Sequence, residues 1–205
     1  MQKTATAYTY DELEEDAKKK ALDEMRSTTT EYFDWWESDF EYWKEELAKR
    51  GYEVDDIFFS GFWSQGDGAS FTGSLDVLKW LKYTDAKDAD AKAKDLAKTR
   101  SLRYWLKKVD PAAAYVNFSQ RGHYYHRFTM SIEVEWSEWP EPPKAGQQLL
   151  ALESAMLDHA RDCALEIYRG LEKTHDAMST DEYVADHIVA NEYLFWSDGT
   201  PARFV

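Results

Sequence analysis

Residues 60–71 bring together the side chains best suited to hold a small molecule. The segment SGFWSQGDGASF sets three glycines, an amide, a carboxylate and several hydroxyl groups between aromatic rings. Glycine permits positive φ angles and close backbone approach, while the amide and carboxylate supply hydrogen bonds in an apolar setting. This composition is typical of a binding loop. We expect its ligand contacts to come from Phe62, Trp63, Ser64, Gln65, Gly66, Asp67 and Gly68.

The chemistry of this loop is open between three interpretations. Asp67 can accept hydrogen bonds from a base edge or a ribose, can act as a general base, or can simply form an Asp-Gly turn. The serines do not form the Gly-x-Ser-x-Gly turn of hydrolases, and the Gly-Lys-Ser/Thr ending of a phosphate-binding P-loop is absent from the motif. We therefore predict no catalytic residue in it.

Basic residues cluster around a second predicted turn, at Arg121-Gly122. Arg121, His123 and Arg127 form a small cationic group that can receive a phosphate or a carboxylate, or can pair with the acidic helices. His126 is the one ionisable residue on an apolar strand face, where a histidine serves as general base, metal ligand or hydrogen-bonded core residue. We expect these four basic residues to complete the ligand site.

Other candidate ligands lack the spacing of a metal site. The remaining histidines do not form a His-Glu-x-x-His motif, and the aspartates of residues 85–92 lack the glycine and distal glutamate of a calcium loop. The single cysteine, Cys163, excludes an intrachain disulfide, and its helical, apolar surroundings predict a buried, inert thiol. We expect no metal and no cofactor, and a binding protein in preference to an enzyme.

Two helices are predicted in the acidic N-terminal region, residues 9–50. A capping box at Thr9–Glu12 opens a first helix over about residues 10–26, and three consecutive threonines at 28–30 interrupt it. The second helix ends at Gly51. Its aromatic and aliphatic residues recur three and four apart, which favours core packing over a ligand platform: Phe33, Trp36, Phe40, Trp43 and Leu47.

The central part of the chain alternates with a period of two, as strands do. One antiparallel hairpin is predicted within about residues 52–77, around the glycine loop, and a second within about 113–136, where the return strand begins near Tyr124. Residues 84–110 are rich in alanine, lysine and aspartate and predict an exposed helix. The apolar face of the return strand would contain Tyr124, His126, Phe128, Met130, Ile132, Val134 and Trp136.

Helices follow over residues 146–190. The longer one, from about 146 to 173, has an apolar stripe that should pack on the sheet, and a capping box at 179–182 opens a shorter one. Residues 193–196 suggest a last edge strand. Separate runs of strands and helices predict a single α+β domain over 1–205, with an antiparallel sheet of about four to five strands packed against several helices.

The formal net charge of −14 restricts the partners of the chain. It disfavours direct binding of nucleic acid or an anionic membrane and favours basic proteins. Seventeen acidic and seven basic residues lie between Asp11 and Asp56, which indicates either a solvated helix face or a mimic of a phosphate backbone. The expected acidic interaction surface consists of Glu12, Glu15, Asp34, Glu37, Glu41 and Glu45.

Sequence features bearing on localisation favour the host cytoplasm. No stretch approaches the roughly 20 apolar residues that span a bilayer, and no basic segment followed by an apolar run marks the N-terminus. A lone cysteine suits a reducing compartment. The aromatic excess and the predicted edge strand near Tyr193 are compatible with a homo-oligomer.

Three segments carry a family resemblance. Residues 8–13, the pair Trp35-Trp36 and the loop at 60–69 resemble a family of small uncharacterised bacteriophage and prophage proteins, some of them labelled antitoxins. The resemblance covers about residues 8–77, and the SGFWSQGDGA loop is its specific part. It implies a phage accessory protein that interferes with a bacterial defence or toxin system. It implies no catalytic residue and no ligand.

Two functional hypotheses follow. In the first, the glycine-aromatic loop sequesters a small polar or nucleotide-derived ligand, such as a defence signal, without altering it. In the second, the acidic surface occupies the basic channel of a host defence or toxin protein and inhibits it. An enzyme acting through Asp67 and His126 is disfavoured because no known catalytic constellation accompanies them.

Overall fold

The structure is a computed structural model that describes residues 6–31, 34–87, 108, 114–134 and 146–202, with the backbone alone at 85–87 and 146–148. Contacts divide the chain into two compact units, Ser38–Gly170 and Met1–Glu37 with Leu171–Val205. The single domain over residues 1–205 stays a prediction. The elements are α1 (Glu15–Met25), α2 (Thr28–Glu31), α3 (Glu37–Lys49), β1 (Tyr52–Phe59), β2 (Ala69–Asp76), α4 (Val77–Lys87), β3 (Tyr115–Gln120), β4 (Met130–Glu133), α5 (Gly146–Met178) and α6 (Asp181–Ala190).

The predicted α+β class is confirmed. Strands β1 to β4 form one antiparallel sheet in sequence order, with pairs such as Phe59 with Ala69 and Gln120 with Met130. The predicted hairpin around the glycine loop is also confirmed, because residues 60–68 connect β1 to β2. The sheet therefore places both ends of this loop on neighbouring strands.

The predicted return strand after β3 is wrong in its first half. Residues 127–129 form a 3-10 turn, and β4 begins only at Met130. The Nδ1 of His126 accepts the N–H of Phe128 at 3.1 Å, and the Thr129 hydroxyl donates to the His126 carbonyl at 2.7 Å. These local bonds replace a sheet ladder, so Tyr124 and Phe128 are 60% and 64% exposed and do not lie on a buried face. The predicted continuation to Trp136 lies outside the described residues.

Helix α5 confirms the predicted apolar stripe. Its residues Leu149, Leu152, Met156, Ala160, Cys163 and Ile167 are all buried. The helix meets the sheet where His159 stacks on Tyr52 and its Nδ1 lies 2.7 Å from the tyrosine hydroxyl. Helix α5 continues to Met178, five residues beyond the prediction.

Cys163 is the buried thiol that its surroundings predict. It is 1% exposed, and burial raises its pKa to about 12. The Arg50 guanidinium donates to its Sγ at 3.4 Å and forms an ion pair with Glu166 at 2.7 Å. The thiol is therefore protonated at neutral pH, and a protonated thiol is a poor nucleophile.

Helix α4 was not predicted. The preceding strand was predicted to extend to Val77, but α4 begins at that residue. Val77, Trp80, Leu81 and Thr84 are buried at helical spacing. The predicted exposed helix over 84–110 lies almost entirely outside the described residues.

In α3 only Leu47 of the proposed stripe is fully buried, and Phe33 is not described.

The unit formed by Met1–Glu37 and Leu171–Val205 has its own apolar core. Its buried residues come from α1, α6 and the chain around them: Leu13, Ala17, Ala21, Leu22, Met25, Val184, Ile188 and Phe195. The predicted edge strand is reduced to isolated bridges that join Phe195 to Tyr8 and to Pro201. In place of a strand, Phe195 alone is buried in this core and pairs with two other chain segments.

The first predicted helix is divided. Glu12 accepts hydrogen bonds from both the backbone N–H and the hydroxyl of Thr9, but this motif closes only a 3-10 turn at Tyr10–Glu12. Leu13 then adopts an extended conformation and is buried, so the α-helix starts at Glu15. The helix is interrupted as predicted, but at residues 26–27 and not at the threonines, because Thr28 to Thr30 themselves belong to the short helix α2.

Within the described residues, no helix combines the length and the apolar character that crossing a membrane requires. The same residues contain no group of three histidine, cysteine or acidic side chains arranged around a common metal position.

We expect Gly73→Ala to destabilise the sheet strongly. Gly73 has φ +143°, and an added Cβ would lie 2.1 Å from the Glu53 carbonyl oxygen in the neighbouring strand. The clash should lower the free energy of unfolding by more than about 3 kcal/mol, measured by urea denaturation. Gly122→Ala is the matched control, because its Cβ would meet open space and only its φ of +88° is unfavourable, at about 1 kcal/mol. Equal losses of unfolding free energy in the two variants would contradict the close approach of Gly73 to the neighbouring strand.

Asp198 should stabilise its unit in a pH-dependent way. Hydrogen bonds from Lys20 and Thr200 lower the pKa of the Asp198 carboxyl to about 2. Because this folded-state pKa lies below the ordinary value near 4, the stabilisation is complete above about pH 4 and disappears as the pH falls towards 2. Asp198→Asn should therefore melt below the wild type at pH 7, and the difference should vanish near pH 2. Asp186→Asn, at an exposed residue of α6, controls for the lost charge.

Candidate functional site

The glycine loop is closed by its own backbone and by one carboxylate. The Ser60 N–H donates to the Gly68 carbonyl at 3.2 Å. Oδ2 of Asp67 accepts the N–H groups of Trp63 at 3.0 Å and Ser64 at 2.6 Å. Of the three interpretations of Asp67, these bonds favour the structural one, because the carboxylate holds the turn together.

Glycine is required where the loop meets the segment that joins β3 to β4. A Cβ at Gly68 would lie 2.6 Å from the Cβ of His126 and 2.9 Å from its Cα, too close for any side chain. At Gly66, where φ is +104°, it would lie 3.6 Å from the Tyr124 ring. The two turns that the sequence separates by about 60 residues are therefore in direct contact.

A cavity of about 470 Å³ lies beside this contact. Its walls come from three segments of the Ser38–Gly170 unit: the glycine loop, the 3-10 turn before β4, and the middle of α5. Its volume falls within the range of roughly 300–1,000 Å³ that small-molecule sites occupy. The lining residues are Gln65, Gly66, Asp67, Gly68, Ala69, His126, Arg127, Phe128, Ala164, Leu165 and Tyr168.

The 3-10 turn supplies the cavity with cationic and donor groups. Because Nδ1 of His126 accepts a backbone N–H, the neutral ring carries its proton on Nε2, which is then a donor. Nη1 of Arg127 lies 3.7 Å from Oδ1 of Asp162, and its guanidinium lies over the Phe128 ring at 4.7 Å. The ion pair is longer than a hydrogen bond, so the guanidinium keeps its donors for another acceptor.

Six of the predicted ligand-binding residues line this cavity: Gln65, Gly66, Asp67, Gly68, His126 and Arg127. Phe62 does not line the cavity, although its ring centroid lies 5.6 Å from that of Tyr168, and Trp63 is 79% exposed. Ser64, Arg121 and His123 are exposed and do not line the cavity. Arg121 forms an ion pair with Glu133 at 3.8 Å instead.

The part of the cavity wall that α5 contributes was not predicted from the sequence. Ala164, Leu165 and Tyr168 lie on one face of that helix, and Tyr168 is its single aromatic residue apart from histidines. An isolated aromatic residue in an otherwise aliphatic helix was the available signal. Nothing in the sequence states that this face meets the glycine loop.

The acidic residues proposed as an interaction surface are all exposed: Glu12, Glu15, Asp34, Glu37, Glu41 and Glu45. Two of them have local partners. Glu12 accepts from Thr9, which lowers the pKa of its carboxyl, and Glu15 lies 3.7 Å from Lys18. Glu41 and Glu45 lie one turn apart on α3 and form no ion pair with a described residue.

Comparisons with known proteins place this chain in a family. Neither the curated proteins nor the solved structures contain a match to it. A family model described as a domain of unknown function, DUF8835, matches residues 35–181. The matched range contains the four strands, the glycine loop and every residue that lines the cavity. Because the match covers well over half of the sequence, the chain belongs to the DUF8835 family.

Proposed function

We propose that this protein binds and sequesters a small polar ligand in the cavity beside the glycine loop. The observation that carries the proposal is the convergence of the loop, the His126–Phe128 turn and Tyr168 on one space of about 470 Å³. A largely apolar, concave site with a few placed polar groups is the usual form of a small-molecule site. A nucleotide-derived molecule fits this description.

The walls offer complementary groups for such a ligand. Tyr168 and Phe128 present aromatic rings, which bind planar groups, and the Gln65 amide can both donate and accept hydrogen bonds at the exposed rim. Arg127 and Nε2 of His126 are donors for an anionic or carbonyl oxygen. These groups favour binding of a ligand with a planar part and a negatively charged end over binding of an apolar ligand.

Sequestration is favoured over turnover by the state of the cavity side chains. The carboxylate of Asp67 already accepts two backbone N–H groups and holds the turn together. The described lining residues include no serine, cysteine or lysine to act as a nucleophile. Binding without covalent chemistry is the activity that these residues support.

The resemblance of the loop to phage and prophage proteins supports a biological setting for this binding. A phage-encoded accessory protein gains from removing a diffusible signal of a bacterial defence system, because sequestration needs no further machinery. The proposed role is therefore anti-defence, in the cytoplasm of the infected cell. Native mass spectrometry of protein purified from such cells would reveal a retained small molecule.

Variants of the loop test the cavity. Gln65→Ala removes one neutral hydrogen bond and should weaken ligand binding by about 2- to 10-fold without changing the melting temperature. Gly68→Ala should weaken it more, because its Cβ forces the His126 segment away. Binding is measured by calorimetry with the ligand that copurifies.

Two variants outside the cavity serve as controls. Asn117→Ala removes an exposed amide from β3, and Gly122→Ala adds a methyl group where there is open space. Both should bind as the wild type does. Unchanged affinity in Gln65→Ala and Gly68→Ala would place the ligand elsewhere.

A second candidate function is inhibition of a basic defence or toxin protein by the acidic surface. The observation that favours it is the pair Glu41 and Glu45, exposed on one face of α3 and free of ion pairs with described residues. Exposed carboxylates raise the association rate of a basic partner.

Charge reversal separates this candidate from ligand binding. Glu41→Lys with Glu45→Lys should weaken capture of a basic partner at least tenfold and reduce the salt dependence of its affinity. The control reverses two exposed acids of strand β1, Glu53→Lys with Asp55→Lys. If both double variants capture the partner equally, α3 is not the interface.

A further inference from the structure

We propose that the ligand is a phosphomonoester whose phosphate is held by Arg127 together with Arg161, and that this phosphate displaces the Asp162 carboxylate from Arg127. This inference rests on the proposed binding function. It adds the class of ligand, a second arginine that the sequence analysis did not select, and a carboxylate that competes with the phosphate.

Two guanidinium groups are held against one exposed ring at the edge of the cavity. The Cζ atoms of Arg127 and Arg161 lie 4.7 Å and 5.8 Å from the centroid of the Phe128 ring. Phe128 itself lines the cavity and is 64% exposed. The ring attracts each guanidinium through a cation–π contact, whereas the two like charges repel each other, so an anion that lies between them would be stabilised.

Arg161 does not line the cavity itself, but it lies on the same face of α5 as two residues that do. It lies one turn before Leu165 and two before Tyr168, on the face of α5 that forms the cavity wall. Nη2 of Arg161 donates to the Met130 carbonyl at 3.3 Å, which fixes the guanidinium beside β4. Its Nε is buried and has no hydrogen-bond partner among the described residues. A buried donor without a partner costs free energy that a ligand oxygen can recover.

Arg127 is occupied only loosely. Its single described partner is Asp162, with 3.7 Å between Nη1 and Oδ1, and that carboxylate is largely exposed. Exposed ion pairs contribute about 0–1 kcal/mol, so a stronger anion can displace this one. Asp162 partly neutralises Arg127 and also repels an incoming anion.

Phosphate fits this arrangement better than a carboxylate does. A phosphomonoester carries a charge of about −1.5 to −2 at pH 7 and three acceptor oxygens, enough to bridge two arginine side chains. The net charge of −14 repels free anions at long range. The site should therefore need the organic part of the ligand as well, which the aromatic walls of the cavity would bind. A mononucleotide combines both parts.

The test compares nucleotides with nucleosides by titration calorimetry at constant ionic strength. The probes are the four ribonucleoside monophosphates and the corresponding nucleosides. We expect at least one monophosphate to bind at least tenfold more tightly than its nucleoside. Arg127→Gln and Arg161→Gln should each weaken that monophosphate about 10- to 100-fold and leave the nucleoside unchanged.

Matched variants isolate the site from general electrostatics. Arg121→Gln removes the same charge from an exposed residue outside the cavity and should change affinity less than twofold. Asp162→Asn should tighten monophosphate binding about two- to fivefold, because it frees Arg127. In the NMR spectrum, the Nε–H signal of Arg161 should shift on addition of the monophosphate.

Failure of this inference and failure of the proposed function give different results. Equal binding of nucleoside and monophosphate, or an unchanged affinity in Arg161→Gln, overturns the phosphate site while cavity binding stands if Gln65→Ala still weakens it. Binding that neither Gln65→Ala nor Gly68→Ala affects overturns the cavity itself. No binding of any monophosphate at millimolar concentration overturns this inference, and the copurified molecule then decides the proposed function.

Discussion

The contact between Gly68 and His126 is the constraint on which the candidate site depends. Because glycine has no Cβ, the loop after β1 can lie against the turn before β4. A Cβ at Gly68 would come within 2.6 Å of that turn. The rest of the loop is organised around this approach. Asp67 ties down the backbone of Trp63 and Ser64, and the Gly68 carbonyl accepts from Ser60. A tightly closed loop can meet another segment without losing its own hydrogen bonds.

The positive groups near the cavity contrast with the negative net charge of the chain. A protein with a net charge of −14 has Arg127 and a histidine donor in the wall of a small cavity, and Arg161 lies against the Phe128 ring of the same wall. The acidic residues on α3 point to solvent and act over long distances, whereas the guanidinium groups act at contact distance. Free inorganic anions are disfavoured by the first effect. A ligand that also buries a planar group in the cavity can overcome this long-range repulsion. The aromatic walls and the guanidinium groups would then select the same ligand together.

Much of the fold could be predicted because its signals are local. Alternation identified the hairpin of β1 and β2, and an apolar stripe identified α5. The errors have local competitors as their cause. The alternation of Tyr124, His126 and Phe128 suggested a strand, but hydrogen bonds of His126 and Thr129 to their own turn replaced it. At Thr9–Glu12 the capping box formed as predicted, yet the burial of Leu13 ended the turn.

The candidate site divides in the same way. Residue type alone identified Gln65, Asp67, Gly68, His126 and Arg127, because glycine-rich loops and basic clusters are unusual enough to be noticed in a sequence. It could not exclude Arg121 and His123, which lie in the same turn but face solvent. Nor could it find Tyr168 and Arg161, whose roles depend on which face of α5 meets the sheet. The sequence by itself determined which groups are present and which local turns they form, since these depend on neighbouring residues. Only the tertiary structure decided which groups share a cavity, because that depends on contacts between segments up to about 100 residues apart.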